Sequence, residues 1–130
     1  MTSLTKFDTK TKASKGVEIE LKDLRTGKRA GAFITILGAD SDQFQDAKTE
    51  QARALADSQV NGDRPGSRQM IEMTCRTLAA CTIGWRELEG PDGQPLPFSE
   101  FEAQKLYSDY PAIRDQINEE MANRANFVLA

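Results

Sequence analysis

The chain has 130 residues, of which 38% are hydrophobic and 28% are charged, and its formal net charge is -3. This length suffices for one domain with a modest hydrophobic core. The acidic balance argues against a general nucleic-acid-binding protein, which usually carries a basic surface, and no stretch approaches the roughly 18 apolar residues of a membrane span.

Residues 1–15 form a segment that is rich in threonine and lysine and has few apolar residues. Because this segment lacks the apolar run of a secretory signal, we expect the protein to remain in the cytoplasm of the cell that makes it. Its composition predicts a flexible basic arm. The lysines could meet an acidic partner or nucleic acid, and a solvated arm is the simpler interpretation.

Strand patterns begin at residue 16. Val17, Ile19 and Leu21 alternate with charged residues, which is typical of a strand with one buried face. The polar turn at 25–28 and the β-branched and aromatic run at 32–37 predict the second strand of a β-hairpin. A lone hairpin is only marginally stable in water, so another element must cover its apolar face.

A helix over about residues 41–60 is the expected cover, with Ser41 or Asp42 as its N-cap. Residues 61–66, with two glycines and a proline, predict a linker that follows this helix. The buried face of the helix is predicted to contain Phe44, Ala47, Ala52 and Leu55.

A second helix is predicted from an N-cap at Ser67 to about Ile83, and it should be the most buried helix of the protein. Cys75 and Cys81 are six positions apart on it and face different directions, so we expect two buried thiols and no disulfide. Its apolar residues are Met70, Ile71, Met73, Cys75, Thr77, Leu78 and Cys81.

The rest of the chain predicts a turn at 90–93 and two shorter helices. Ser99 and Glu102 have the spacing of a capping box, and Pro111 suits the first turn of the last helix. The apolar residues of the last helix and of the tip that follows it are Ile113, Ile117, Met121, Phe127, Val128 and Leu129.

These elements predict an α+β fold, with an N-terminal β-hairpin and a covering helix followed by a mainly helical C-terminal lobe. The predicted organisation is a flexible basic arm at 1–15, the hairpin plus helix at 16–60, a linker at 61–66 and the helical lobe at 67–130. The linker is predicted to separate two lobes.

The residue types of the chain do not indicate a catalytic site. Histidine is absent, which removes the commonest general base and the commonest zinc ligand. Asp40 and Asp42 flank Ser41 at a helix start and suggest metal ligands, but side chains at such positions more often cap the helix. We therefore predict a protein that is not an enzyme and that needs no metal or cofactor.

Two stretches of the chain carry a pattern of short motifs. The first, at 33–41, is a strand ending in glycine and followed by an Asp-Ser helix start. The second contains Gly-Trp at 84–85, Asp-Gly-x-Pro at 92–95, Pro-Phe-Ser at 97–99 and Tyr-Pro-x-Ile-Arg at 110–114. In order and spacing these motifs resemble the tail assembly chaperones of long-tailed bacteriophages, over roughly residues 17–120.

The resemblance implies a helper protein that binds the long, aggregation-prone tape measure protein and keeps it soluble until the tail tube polymerises around it. It also implies action in the host cytoplasm and absence from the mature virion. The tape measure protein is then the expected partner, with the tail tube protein and further copies of this chain as additional candidates. Neither nucleic acid nor a membrane is expected as a partner.

Side chains near the two proline-rich turns are the candidate partner-binding residues, because aromatic groups provide a large contact area at low entropic cost. For Trp85 and Phe98 the alternative is packing of the loop onto the long helix, and for Tyr107 and Tyr110 core and surface positions are equally open. The candidates are Trp85, Phe98, Phe101, Leu106, Tyr107, Tyr110, Pro111 and Ile113.

Two other hypotheses remain beside the chaperone. One is a virion structural or adaptor protein that is retained in the particle. The other is a nucleic-acid-binding module that uses the lysine-rich arm, which the acidic net charge disfavours.

Overall fold

A computed structural model describes residues 1–60 and 66–128, without the side chains of residues 59 and 60. The predicted linker, apart from Gly66, lies outside the described residues, as does Leu129 of the predicted tip. Among the described residues the helices are α1 (Lys10–Lys15), α2 (Asp42–Val60), α3 (Ser67–Ala80), α4 (Glu100–Asp109) and α5 (Pro111–Ala122). The strands are β1 (Val17–Lys22), β2 (Arg29–Ile36) and β3 (Thr82–Arg86), and short 3-10 turns span Leu4–Phe7 and Arg124–Phe127.

The α+β fold class is confirmed, and the predicted hairpin is extended by a third strand. The sheet is antiparallel with the order β1-β2-β3, and Ile34 of β2 lies opposite both Ile19 and Trp85. The inner face of this sheet packs on the helices. None of the described helices has the length and apolar character that a membrane crossing needs.

The prediction that the second helix continues to Ile83 is wrong, because α3 ends at Ala80. The Thr82 hydroxyl donates to the Leu78 carbonyl at 2.8 Å, which satisfies one of the carbonyls left free at the helix end. The chain then pairs with β2 as β3. A continuous apolar run such as 78–85 does not distinguish a buried helix from a buried strand by its periodicity.

Residues 1–15 contain ordered helical turns in place of the predicted flexible arm. Ala13 of α1 is completely buried and belongs to the main core cluster. The Asp8 carboxylate accepts hydrogen bonds from the backbone N–H and the hydroxyl of Thr11, at 3.0 and 2.7 Å. These contacts stabilise the first turns, although the composition of the segment is polar.

Two of the three serines predicted as helix N-caps are caps in the structure. Ser41 caps α2 by accepting from the Phe44 N–H at 3.2 Å, and Ser99 caps α4 by accepting from the Glu102 N–H at 3.0 Å. Both caps were predicted. Ser67 is not a cap, because α3 begins at Ser67 itself and Gly66 precedes it without a side-chain bond.

The predicted buried face of α3 is largely confirmed, whereas Phe44, Ala47 and Leu55 on α2 are only half-buried. The prediction that α2 covers the hairpin is wrong, because α2 packs mainly on α3. Met73, Cys75, Thr77, Leu78 and Cys81 are buried between α3 and its neighbours. The exceptions, which are exposed, are Ala52 on α2 and Met70 and Ile71 in the first turns of α3. All three exceptions lie on helical turns that face solvent.

Residues 37–39, directly after β2, join three separate parts of the chain. The Leu37 N–H donates to the Cys81 carbonyl at the end of α3, at 2.8 Å. The Gly38 N–H donates to the Ala13 carbonyl of α1 at 2.9 Å, and the Ala39 N–H donates to the Met121 carbonyl of α5 at 3.0 Å. Three successive amides thus hold α1, α3 and α5 against one end of the sheet.

The outer edge of β1 is also closed by α5. The Lys22 N–H donates to Gln116 Oε1 at 2.9 Å, and Gln116 Nε2 donates to the Lys22 carbonyl at 3.1 Å. One side-chain amide therefore replaces a neighbouring strand at this point, and it places the first half of α5 beside the hairpin.

We predict that Gly38→Ala lowers the free energy of unfolding by about 1–3 kcal/mol, as is typical of overpacking. A Cβ at this position would lie 2.7 Å from the Ala13 Cβ and 3.0 Å from the Phe127 ring. The matched control is Gly84→Ala, where nothing lies within 4 Å and the change should stay within about 0.5 kcal/mol. Urea unfolding followed by circular dichroism measures both, and equal stabilities would contradict the packing argument.

A second prediction concerns Asp40, which accepts a bidentate pair from Arg124 at 2.9 and 3.0 Å and a bond from the Thr9 hydroxyl at 2.7 Å. These contacts lower the pKa of Asp40, so their stabilisation is present above its ordinary value near 3.8 and is lost as the pH falls through the lowered pKa. Arg124→Ala should lower the stability at neutral pH, and this loss should vanish in strong acid.

Urea unfolding at neutral and acidic pH measures the cost of Arg124→Ala. Arg53→Ala is the matched control, because its pair with Glu50 is exposed on both sides, at 66% and 70%. A cost for Arg124→Ala that does not change with pH would contradict the assignment of the stabilisation to ionised Asp40.

Candidate protein-binding groove

An open groove lies where the hairpin, the segment after β3 and the junction of α4 with α5 meet. It consists of two adjoining cavities of about 390 and 420 Å³ that share Leu88, Asp109, Tyr110 and Ile113. One end reaches the hairpin at Leu24 and Ala32, and the other reaches α4. We call this the groove; its apolar lining is Leu24, Ala32, Leu88, Leu96, Leu106, Tyr110, Pro111 and Ile113.

One wall of the groove is the segment 87–98, which folds back on itself. Glu87 has a positive φ of 57°, which turns the chain out of β3. The Leu96 N–H then donates to the Leu88 carbonyl at 2.8 Å, and the Gly90 N–H donates to the Gln94 carbonyl at 2.9 Å. These bonds place Leu88 and Leu96 side by side as the apolar part of the wall.

Trp85 and Phe98 hold this wall in place. The Trp85 Nε1–H donates to the Leu96 carbonyl at 2.8 Å, and the Trp85 and Phe98 rings form a T-shaped pair with centroids 4.9 Å apart. Such aromatic pairs contribute about 0.5–1.5 kcal/mol beyond their buried area. The two residues therefore hold the segment 96–98 against the end of β3.

The opposite wall is the junction of α4 and α5. Tyr110 ends α4 and precedes Pro111, the first residue of α5, so the two helices meet at a sharp corner. The Tyr110 side chain is 44% exposed, whereas Leu106 beneath it is buried and Ile113 is half-buried. The corner therefore presents an aromatic edge above an apolar floor.

Carboxylates dominate the charge of the groove. Glu89, Glu102 and Asp109 line it together with two cations, Lys22 and Lys105. Within the described residues the six ion pairs involve other carboxylates, and these three take part in none of them. The groove thus combines an apolar lining with an excess of one negative charge, from three carboxylates against two lysines.

The structure brings four of the eight predicted binding residues to the groove: Leu106, Tyr110, Pro111 and Ile113. Trp85 and Phe98 support its wall. Phe101 is 74% exposed on α4 and does not line the groove. The prediction of Tyr107 as a contact residue is corrected, because its side chain is completely buried.

Tyr107 has a structural role in the core. Its hydroxyl lies 2.7 Å from that of Thr82, and because the Thr82 proton is directed to Leu78, Tyr107 donates to Thr82. Burial raises the pKa of Tyr107 above its ordinary value. This buried bond joins α4 to the first residue of β3.

Sequence reasoning did not identify Leu24, Leu88, Leu96 and Asp109 as groove residues. They come from three distant stretches, and their proximity depends on β3, which the sequence did not predict. The one local signal, for Leu88 and Leu96 alone, was the turn at 90–93, since the chain segments on the two sides of a tight turn lie side by side.

Other reactive groups lie away from the groove. Burial raises the pKa of the Cys75 thiol, and it raises that of Cys81 to about 11, so both are protonated at neutral pH. Asp40 pairs with Arg124 and Asp42 with Lys10, while Ser41 provides the cap. In the part of the chain that the structure describes, no three potential metal ligands converge.

The fold class is α+β, and the groove is open and lined mainly by apolar side chains. Comparison with protein families is more specific: the model of the YdaY prophage protein family matches residues 39–130, most of the chain. The chain belongs to this family and is phage-derived. No curated protein and no solved structure matches it.

A third prediction tests the wall of the groove with Trp85, the single tryptophan of the chain. Phe98→Ala should shift the Trp85 emission to longer wavelength, because it removes the ring that covers the indole edge. It should also cost about 1–2 kcal/mol of stability. Phe101→Ala is the matched control, since Phe101 is 74% exposed, and its spectrum should equal that of the parent chain. Identical spectra for both variants would contradict the packing role of Phe98.

Proposed function

We propose that this protein is a phage tail assembly chaperone, which binds the tape measure protein in the host cytoplasm and keeps it soluble during tail assembly. Two findings support the proposal: membership of a prophage protein family, and the ordered motifs between residues 33 and 114 that resemble those of such chaperones. The observation that carries it is the open apolar groove beside Tyr110.

The shape of the groove suits a helical segment. Helix-in-groove recognition uses an amphipathic helix whose apolar side chains recur every three to four residues and enter an apolar channel. Here Leu88 and Leu96 line one side, and Ile113 and Tyr110 line the other. Covering such side chains on a long helical partner would lower its tendency to aggregate.

The charged residues of the groove favour a partner segment of positive charge. Glu89, Glu102 and Asp109 carry negative charge beside the apolar lining. Because charge complementarity across an interface favours correct partners and raises association rates, the best segments would be helices with lysine or arginine next to their apolar stripe. Under this proposal the protein acts through surface contact and needs no cofactor.

Co-expression with the tape measure protein of the same prophage tests the proposal. The parent chain should move that partner from the pellet to the soluble fraction and co-purify with it. The double variant Leu24→Ser/Tyr110→Ser should bind at least about tenfold more weakly, since tenfold corresponds to roughly 1.4 kcal/mol and two apolar contacts are removed. Both side chains are exposed in the free protein, at 78% and 44%, so the variant should fold.

The matched control for this experiment is Phe101→Ser, which removes a large exposed side chain outside the groove. It should solubilise the tape measure protein as well as the parent chain does. A tape measure protein that stays insoluble with the parent chain, or equal solubilisation by the groove variant, would contradict the proposal. Mass spectrometry of purified particles tests the alternative function, because a virion structural or adaptor protein would be retained there.

A further inference from the structure

A second surface of the molecule exposes large apolar side chains at its other end. Leu4 is 86% exposed and Phe7 is 72% exposed, both on the 3-10 turn Leu4–Phe7. We call these two side chains the knob. Both side chains therefore project into water from one ordered turn and are available for contact.

Hydrogen bonds hold the turn that carries the knob in place. Ser3 caps the turn by accepting from the Thr5 N–H at 3.3 Å, and Asp8 caps the start of α1 through Thr11. The Thr9 hydroxyl donates to Asp40 at 2.7 Å and so ties the segment to the body of the protein. Ordering in the free protein lowers the entropic cost of a contact.

The surroundings of the knob are basic. Lys6, Lys10, Lys12 and Lys15 lie in the first sixteen residues with a single acid, Asp8. The Asp8 carboxylate is occupied by Thr11, and the pair of Lys10 with Asp42 is exposed on both sides, at 66% and 82%. Such an exposed pair is weak and leaves the lysine available.

Knob and groove are complementary in chemistry. The knob offers apolar side chains among lysines, and the groove offers an apolar lining among three carboxylates and two lysines, which leaves it net negative. The charge of each surface would repel a second surface of its own kind. The combination therefore favours a contact between the knob of one copy and the groove of another over a contact between two knobs or between two grooves.

The two surfaces lie at opposite ends of the molecule. Arg124, which pairs with Asp40 beside the knob, follows the C-terminal end of α5, whereas Tyr110 and Pro111 of the groove lie at its N-terminal end. A helix of the length of α5 spans about 18 Å. Because of this separation, and because Thr9 holds the knob, a chain cannot fill its own groove.

We propose that the knob of one copy of this chain docks into the groove of a second copy. Such a contact joins two different surfaces, so a pair of copies keeps one free knob and one free groove, and the assembly grows into rings or filaments. The same groove would then be occupied by a neighbouring copy until a competing partner segment displaces it. The contact between copies stands whether or not a tape measure segment binds there.

Sedimentation velocity and light scattering over a roughly hundredfold concentration range test the proposal, because association follows mass action. The mean mass of the parent chain should rise above the 14.4 kDa monomer as concentration increases, and added salt should lower it. The knob variant Leu4→Ser/Phe7→Ser and the groove variant Leu24→Ser/Tyr110→Ser should each stay monomeric. Met70→Ser, which alters an exposed residue outside both surfaces, should associate like the parent chain.

Mixing the two variants is the decisive measurement. The knob variant retains a groove and the groove variant retains a knob, so their mixture should form a dimer of twice the monomer mass and nothing larger. Formation of that dimer also shows that both variants are folded. A parent chain that is monomeric at every concentration, or oligomers that persist in either single variant, would overturn the proposal.

The self-association experiment and the chaperone experiment can succeed or fail independently. The knob variant, which has an intact groove, should still solubilise the tape measure protein if the chaperone proposal holds. Loss of self-association in this variant with retained solubilisation supports both proposals. A parent chain that associates as described but leaves the tape measure protein insoluble contradicts only the chaperone.

Discussion

The tertiary structure depends on three successive backbone amides that follow β2. Leu37, Gly38 and Ala39 donate to carbonyls of α3, α1 and α5 in turn. Buried backbone groups must be paired, so these bonds satisfy a strand end that would otherwise be costly to bury. Gly38 allows this because the Ala13 methyl and the Phe127 ring occupy the space where a side chain would begin.

The groove follows from this arrangement. With α3 held at the end of β2, the chain after Ala80 returns along the free edge of β2 as β3. The segment after β3 then lies opposite the corner between α4 and α5, and Gln116 holds α5 beside the hairpin. The groove is therefore built from β1, β2, the segment after β3 and both C-terminal helices, and a loss of sheet pairing would remove it.

Membership of the YdaY prophage protein family covers residues 39–130, which include β3 and the corner of α4 and α5. The hairpin and the knob precede that range, yet Leu24 and Ala32 of the hairpin region complete one end of the groove. The part outside the family match thus supplies both an end of the groove and the basic knob.

The sequence by itself determined the features that short-range rules control. Alternation at 17–21 identified β1, Ser41 and Ser99 identified two helix starts, and Pro111 identified a third, because each signal acts within one turn or one strand face. The α+β class followed from these elements.

Only the tertiary structure decided the outcome where a residue had two acceptable environments. The run 78–85 was apolar enough for either helix or strand, and the free edge of β2 made its second half a strand. Tyr107 and Tyr110 are three positions apart, yet one bonds to Thr82 in the core and the other lines the groove. The physical reason is that burial and pairing depend on partners distant in sequence, which periodicity does not report.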